Sequence, residues 1–498
     1  MKFTKYIVAS MIALTGLTSC GDSFFDTEYT EYLDTDAAGE AASKNPDVFL
    51  NGMWSWMVTY NQTNSGAHDD FGYMGSLHAT DMMGQDICMG ASHWFNYDYQ
   101  LDNRMESYRR TKCHWTNFYT MIAKANEIIS LYPEGGETVS QKGLLGQAFA
   151  IRGLSYMYLI QLYQFTVDAS GNINSDAPGV PLIYIAADGK TEEEIAEAKG
   201  RNTVGIVFSQ IESDLVKAVE NLKAGYTRPS KNYIDASVAN GILARYYLLS
   251  QQWEKAAAAA NEARSGYPIM DSNASGLYDG FVTVNNAEWM WGFAHTTETQ
   301  TTFASFFSMI SNLAPGYAGN YAPRLIDAQL YSQIPDDDAR KKLFIGPEGD
   351  ESQPTKGARL PYANIKFGHV SDWTDNYMYM RAAEMVLIEA EAYAHMNQGA
   401  KAAEVLKVLM SKRQPSWKKA SVTVEDVYLQ RRIELWGEGF SYYDLKRLNK
   451  GIDRTYAGNN HLPSYDIKVD ARDVRWIYQI PLSEIQENKL ISEDDQNP

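Results

Sequence analysis

Glu434 and Glu438 stand one helical turn apart in the segment Arg432-Ile-Glu-Leu-Trp-Gly-Glu-Gly-Phe-Ser-Tyr-Tyr-Asp-Leu-Lys-Arg447, and paired carboxylates at this spacing are a natural place to look for acid–base chemistry. The same spacing also lets a helix tie itself to its neighbours through Glu–Arg pairs. Arg431, Lys446 and Arg447 lie within reach on a helix running from about Val424 to Leu448, so the structural use is the stronger reading. Glu384, Glu389 and Glu391 read in the same way. His68, Asp69, Asp70, His78, Asp81 and Asp86 have the right chemistry for metal ligation, but their spacing matches no compact ligand set. Asp336-Asp337-Asp338 reads as a solvated turn. The chain has no Gly-x-Ser-x-Gly elbow, no His-Glu-x-x-His, no Gly-x-x-x-x-Gly-Lys and no Cys-x-x-Cys. The sequence therefore predicts no catalytic residue, no metal and no cofactor.

A different chemistry is better represented. The chain carries 33 Tyr, 18 Phe and 11 Trp, and in a protein of low mean hydropathy some of these rings must reach the surface, where large aromatic faces serve recognition. A pyranose offers an apolar C–H face and a rim of hydroxyls, which flat rings and Asn, Gln, Asp or Arg side chains complement. His93-Trp94-Phe95-Asn96-Tyr97-Asp98-Tyr99 holds both ingredients, as does Gly316-Tyr317-Ala318-Gly319-Asn320-Tyr321 between glycines. Trp94, Asn96, Tyr97, Tyr317, Asn320 and Tyr321 are thus the candidate contacts. Trp94 is flanked by His93, and residues 84–102 show neither the helical nor the strand apolar period of a core element.

The elements that must position these segments are mostly helical. Apolar periodicity predicts helices over residues 115–131, 144–163, 204–222, 237–250, 253–265, 379–396, 400–412 and 424–448, with short strands at 287–293 and 475–480. Leu243, Ala244 and Tyr247 on one helix, followed by Ala256, Ala263 and Pro268 on the next, have tetratricopeptide spacing, and Ala390, Tyr393, Gly399 and Ala402 form a weaker copy. Such pairs cannot bury their own apolar faces, so further pairs must stack beside them, with residues 115–131 and 144–163 as the natural members. The fold class is mainly α. Tetratricopeptide-like pairs form a scaffold, and a loop-rich subdomain with a few short strands comes from the long polar, aromatic segments 62–104, 167–202 and 271–324.

At the N-terminus, Lys2 and Lys5 precede an apolar run that closes at Leu17-Thr18-Ser19-Cys20. The run is shorter than the about 20 residues a spanning helix needs, and it has the form of a cleaved signal over residues 1–19. Leu-Thr-Ser-Cys resembles the bacterial lipobox, which makes Cys20 the acylated first residue of the mature chain and its membrane anchor. Of the three cysteines only Cys88 and Cys113 then remain. They can pair in an oxidising compartment, but they are too few for a disulfide framework and too far apart for a zinc site built from close cysteine pairs. The formal net charge of −18 and the lack of any long basic run argue against nucleic acid as a partner.

The segment from Arg432 to Arg447 resembles the R-x-E-L-x-x-E-G-x-R-x-x-D-L-x-R motif of SusD-like proteins, with Ser441 where that family often has arginine. Arg381-Ala-Ala-Glu384-Met-Val-Leu-Ile-Glu-Ala-Glu-Ala resembles the family's R-x-x-E-x-x-L-x-x-A-E-A helix, and Ile480-Pro481 with Gln496-Asn497-Pro498 resembles its C-terminal I-P and Q-N-P. The chain is similar to SusD/RagB nutrient-binding lipoproteins over essentially its whole length. The resemblance implies a SusD-like domain over residues 20–498, with an N-terminal part (about 20–265) and a C-terminal part (about 266–498) packed as one unit. It further implies an outer-membrane lipoprotein exposed at the cell surface, without enzymatic activity, that captures oligosaccharide and caps a TonB-dependent SusC-like transporter. By region, it places the ligand near the two aromatic segments. Binding of peptide, as in some RagB-like members, and surface glycoside hydrolysis with two opposed acids are the competing expectations.

Overall fold

Small and large apolar residues repeating at three and four positions build the scaffold. The computed structural model describes residues 47–498; Cys20 and the apolar run before it lie outside the described residues. The principal helices are α1 (Asp47–Val58), α2 (Gly72–Met82), α3 (Arg109–Ser130), α4 (Val139–Tyr163), α5 (Val204–Lys223), α6 (Ala236–Leu249), α7 (Trp253–Ala263), α8 (Ala382–His395), α9 (Gly399–Arg413), α10 (Val424–Glu434) and α11 (Ser441–Arg447). Each of α3 to α8 packs on the next in order, and α10 packs back on α8. Connections as short as residues 250–252 and 396–398 fold α6 with α7 and α8 with α9 into tetratricopeptide-like pairs. Ala244, Ala256, Ala260 and Ala263 are fully buried where α6 meets α7, and Ala390 and Ala402 are buried where α8 meets α9. Side chains fix the helix starts: Thr138 and Gln141 form a capping box for α4, Asp235 caps α6, and Thr423 with Asp426 caps α10. Among the described residues no helix is long and apolar enough to cross a membrane.

The strands are few and short: β1 (Ile87–Met89), β2 (Trp289–Phe293), β3 (Arg324–Ile326), β4 (Tyr377–Arg381), β5 (Ile452–Asp453) and β6 (Lys468–Val469). They form antiparallel pairs β1–β3, β2–β4 and β5–β6. The structure departs from the sequence-based elements in three places. The helix expected from Tyr379 begins only at Ala382, because residues 377–381 pair with β2. The strand expected over 475–480 is a 3-10 turn, Val474–Trp476, followed by extended chain whose amides bond to the carbonyls of Leu162 and Arg104. The apolar residues there mark burial and not sheet pairing. The long helix expected over 424–448 is divided into α10 and α11. Gly437 and Gly439 adopt φ of 75° and 90°, and a Cβ on either would come within 2.8 Å of Phe367 or Leu77.

That break decides what the motif carboxylates do. Arg381, buried at the end of β4, donates at once to Glu288 (2.8 Å), Glu434 (2.7 Å) and Glu438 (2.8 Å). Arg413 of α9 donates to Glu434 at 3.0 Å, and Arg340 lies 3.4 Å from it. Lys366 pairs with Glu438 and donates to the carbonyls of Glu434 and Trp436. Burial alone would raise the Glu434 carboxyl, but the guanidiniums of Arg413, Arg381 and Arg340 hold it well below the usual carboxylate range. The partners are not those the spacing suggested. With α11 turned away, Arg431 pairs with Asp444 (2.9 Å), Arg447 pairs with Asp444 (2.8 Å) and Glu391, and Lys446 donates to the carbonyls of Gln161 and Trp476. Glu384 is held by Arg245 (2.6 Å) and Glu389 by Arg264 (2.9 Å).

Asp81 of α2 is not paired in this way. It accepts from the backbone amides of Gly439 (2.8 Å) and Ser441 (3.0 Å) and makes no ion pair with a lysine or arginine among the described residues. Ser441 is the position where the resembled motif often carries arginine.

Two outcomes follow from these charges. Glu434→Gln leaves three buried cations short of a counter-charge and should lower stability by about 3–5 kcal/mol in denaturant titration; a variant as stable as the parent would make the cluster dispensable. Burial pushes the Asp81 carboxyl from 3.8 up to about 7, with the two backbone amides only partly opposing it. The folded state then keeps a proton that the unfolded chain releases, so this group favours folding at low pH and loses that contribution as pH rises from about 4 to about 7. Asp81→Asn should flatten the fall in melting temperature across that window relative to the parent; parallel pH profiles would show that Asp81 does not titrate there.

Candidate functional site

The β1–β3 ladder brings the two aromatic segments together. Its register, Ile87 opposite Ile326 and Met89 opposite Arg324, continues in a bond from the Gly90 amide to the Pro323 carbonyl at 2.8 Å. Residues 91–97 therefore leave the ladder at the end where residues 317–323 enter it. Arg324, buried, ties the segments across: Nη1 donates to the Ala322 carbonyl (2.7 Å) and Nη2 to the Trp94 carbonyl (3.3 Å).

A second buried arginine sets the loop that carries Trp94. Arg110, in the first turn of α3, donates through Nε to Asp98 (3.0 Å) and through Nη2 to Asp69 (2.7 Å), and its guanidinium lies 5.0 Å from the centre of the Phe95 ring. Phe95 has φ of 70°, a left-handed conformation that a bulky residue adopts only when its surroundings impose it. Burial raises the Asp98 carboxyl despite Arg110, but both its oxygens are engaged, by Arg110 and by Asn103 (3.1 Å). Arg109 donates through Nη2 to both oxygens of Asp69. On the other segment, Ser308 Oγ accepts from the Tyr317 amide (3.2 Å), and Asn312 bonds to both the amide and the carbonyl of Arg324.

Above this frame lies a cluster of rings. Tyr317 has its centre 4.8 Å from His93, 5.9 Å from Tyr321, 6.3 Å from Trp94 and 5.6 Å from Phe303. His68 stacks on Trp94 at 5.8 Å and 22°, and its Nδ1 is 2.9 Å from the Tyr317 hydroxyl. A cavity of about 720 Å³ opens beside it, lined by His93, Trp94, Asn96, Tyr97, Tyr108 and Arg109 among others.

The candidate residues thus fall into two groups. Trp94 and Asn96, both partly buried, and Tyr97, 58% exposed, line the cavity. Tyr317, partly buried, and Tyr321, 58% exposed, join through His93, and Asn320 is exposed on the turn between them. His68, His93, Phe303, Tyr108 and Arg109 complete the arrangement without having been candidates. His68 sits in a polar run with no apolar period, and nothing local in the sequence places it against Trp94. Burial, and then Arg324, lower the His93 pKa, which keeps its imidazole neutral near neutral pH. With Arg109 paired to Asp69, the ring cluster carries little net charge.

The polar residues considered for metal binding are dispersed. Asp69 and Asp86 are bound by arginines, Asp70 by Thr63 and Asp81 by backbone amides, and His78 is buried against Phe95. In the Asp336–Asp338 turn, Asp338 is buried and paired with Arg340 (2.6 Å) and so is not solvated, whereas Asp336 is exposed and meets Lys341. Cys88 and Cys113 are both buried free thiols and do not pair: Cys88 faces Asn460 and His461, and Cys113 faces Thr63 and Arg109.

A tetratricopeptide-like scaffold that presents aromatic loop segments beside an open cavity is the architecture of a binding protein. Residues 49–248 match the family described as starch-binding associating with outer membrane, and residues 334–498 match the SusD family. The chain belongs to the SusD/RagB family. It is similar to a SusD-like carbohydrate binding protein of Bacteroides vulgatus, with 26% identity and a TM-score of 0.76 over 92% of this chain and 98% of that one. A laminarin binding SusD-like protein shares the fold at 19% identity and a TM-score of 0.67, over 91% and 99% of the two chains. SusD-like protein P2 of Formosa agariphila is 23% identical over 94% of this chain and 95% of its own length.

Proposed function

We propose that this protein captures an uncharged oligosaccharide on the face formed by residues 93–97 and 317–321 and passes it to a SusC-like TonB-dependent transporter. The observation that carries the reading is the ring cluster itself. Trp94, His93, Tyr317 and Tyr321 converge from two distant segments onto one surface, with Asn96, Asn320 and Arg109 at its margins. Partly exposed rings offer flat apolar faces for sugar C–H groups, and the amides and the guanidinium offer hydroxyl partners. A neutral His93 and a neutralised Arg109 favour an uncharged ligand. The carbohydrate-binding and laminarin-binding descriptions of similar proteins support the same class. A hydrolase is disfavoured because Asp69 and Asp98, the buried acids at the cavity, are committed to arginines. A peptide ligand would rely on main-chain pairing and make little use of a ring platform, so a glycan array followed by a product assay separates the three readings.

Trp94→Ala should weaken binding of the cognate oligosaccharide by about 1–3 kcal/mol in titration calorimetry, as loss of a large interfacial contact does, with only a small change in melting temperature. A large drop in melting temperature at unchanged affinity would return Trp94 to the core and move the platform to Tyr317 and Tyr321.

The anchor completes the proposal. Cys20, which lies outside the described residues, is acylated and holds the protein on the outer membrane at the cell surface. Cys20→Ala should yield a folded protein in the soluble fraction; retention in the membrane fraction would defeat the lipoprotein reading.

A further inference from the structure

The pairing that assembles the aromatic surface also gathers three potential metal ligands beneath the opposite end of the ladder. Cys88 lies on β1, Asp327 follows β3, and His461 comes from the segment after β5. Their donor atoms lie within 4.8 Å of one another: His461 Nε2 is 3.1 Å from Asp327 Oδ2 and 3.6 Å from Cys88 Sγ. A tetrahedral zinc ion at about 2.3 Å from sulfur and about 2.0 Å from nitrogen and oxygen requires ligand separations of about 3.2–3.6 Å. We propose that Cys88, Asp327 and His461 form a structural zinc site that locks β1, β3 and the 452–469 segment together.

The surroundings are those of a metal centre. His461 turns its other nitrogen, Nδ1, to the Tyr99 hydroxyl, which sets the ring's orientation and leaves Nε2 to the cluster. Asp327 uses Oδ1 to cap the Leu330 amide (2.8 Å), while Oδ2 faces inward, where it accepts from Tyr456 (2.8 Å) and, more weakly, from Gln85 (3.2 Å); an ion at Oδ2 takes the place of the Gln85 bond. Asn460 Oδ1 accepts from the Ala328 amide (2.8 Å) and from the Cys88 thiol (3.3 Å), and loss of the thiol proton frees it to stand as the fourth donor. Thiolate, imidazole and carboxylate together suit zinc over magnesium or calcium, which prefer all-oxygen shells. The thiolate and carboxylate balance the charge of the ion, and the thiol proton passes to solvent as zinc binds. The nearby Arg454 guanidinium, 3.9 Å from the centre of the Tyr99 ring, opposes the ion but is directed to the carbonyls of Tyr99, Met82 and Gly84.

A catalytic cysteine is a poorer reading of the same residues. In a nucleophile–imidazole–carboxylate relay the two partners occupy opposite ring nitrogens, whereas here Sγ and Oδ2 both meet Nε2. The His461 and Asp327 side chains are fully buried, as is Cys88, which leaves no route for a substrate. The site is independent of the glycan reading.

Metal analysis of the mature chain produced in zinc-supplemented culture and freed of loose metal by gel filtration should find about one zinc per molecule. The content should fall at least about tenfold in Cys88→Ser and in His461→Gln and be retained in Cys113→Ser. Cobalt substitution of the parent should give a thiolate-to-metal charge-transfer band that Cys88→Ser abolishes, and a strong chelator should lower the melting temperature of the parent. The cobalt spectrum of the parent keeps the test decisive if either variant fails to fold. Metal-free parent protein with no cobalt band, or zinc that survives both substitutions, overturns the site and leaves a buried hydrogen-bonded cluster.

Discussion

Three rungs of antiparallel ladder, Ile87–Met89 against Arg324–Ile326, constrain both the aromatic cluster proposed to bind ligand and the Cys88 cluster beneath it. Because side chains alternate across a strand, a slip of one residue would reverse the face to which each points. It would also carry Trp94 out of register with Tyr317, and Cys88 with Asp327. So short a ladder cannot hold its register alone. It is held by Arg324 bridging to the Trp94 carbonyl, by Asn312 bonding to both sides of the Arg324 backbone, and by the apolar contacts of Ile87, Met89 and Ile326 in the core.

Buried arginines act as the joints of the molecule. Arg381 gathers Glu288, Glu434 at the end of α10 and Glu438 within the break that follows, Arg110 fastens residues 69 and 98 to α3, and Arg152 of α4 joins Asp188 to Asp214. Such pairs recover little net energy over a well-packed apolar alternative, since desolvation offsets the attraction. Their planar forks nevertheless admit few geometries, which fits long loops that must be set in one position against a helical scaffold. The aromatic cluster proposed for recognition is built on the opposite principle: its rings are partly exposed, and the charges of Arg109 and Asp69 beside it are paired with each other.

Asp81 shows how a local departure from the family pattern is absorbed. Where arginine is common in the motif, Ser441 donates only its backbone amide, and its side chain packs against Gly84 so closely that a Cβ there would lie 2.1 Å from Ser441 Oγ. Burial pushes the Asp81 carboxyl up, and the amides of Gly439 and Ser441 at the turn between α10 and α11 only partly oppose it.

The helical scaffold, the alanine-rich pairs and the structural role of Glu434 were legible in the sequence, because helix periodicity and residue size act over a few neighbouring positions. So was the aromatic character of residues 93–99 and 316–321. The partners of Glu434 were not legible: they depend on the break at Gly437 and Gly439, where a close approach to Phe367 and Leu77, invisible in one dimension, ends what the apolar period would continue. Residues 475–480 looked like a strand because burial and sheet pairing leave the same apolar trace. Nor did spacing place His68 on Trp94 across an aperiodic loop, or Cys88 beside Asp327 and His461, which lie hundreds of residues further along the chain. Local sequence determined which residues had the chemistry to recognise a ligand or bind a metal; long-range strand pairing and buried ion pairs, which only the tertiary structure supplies, decided which of them meet.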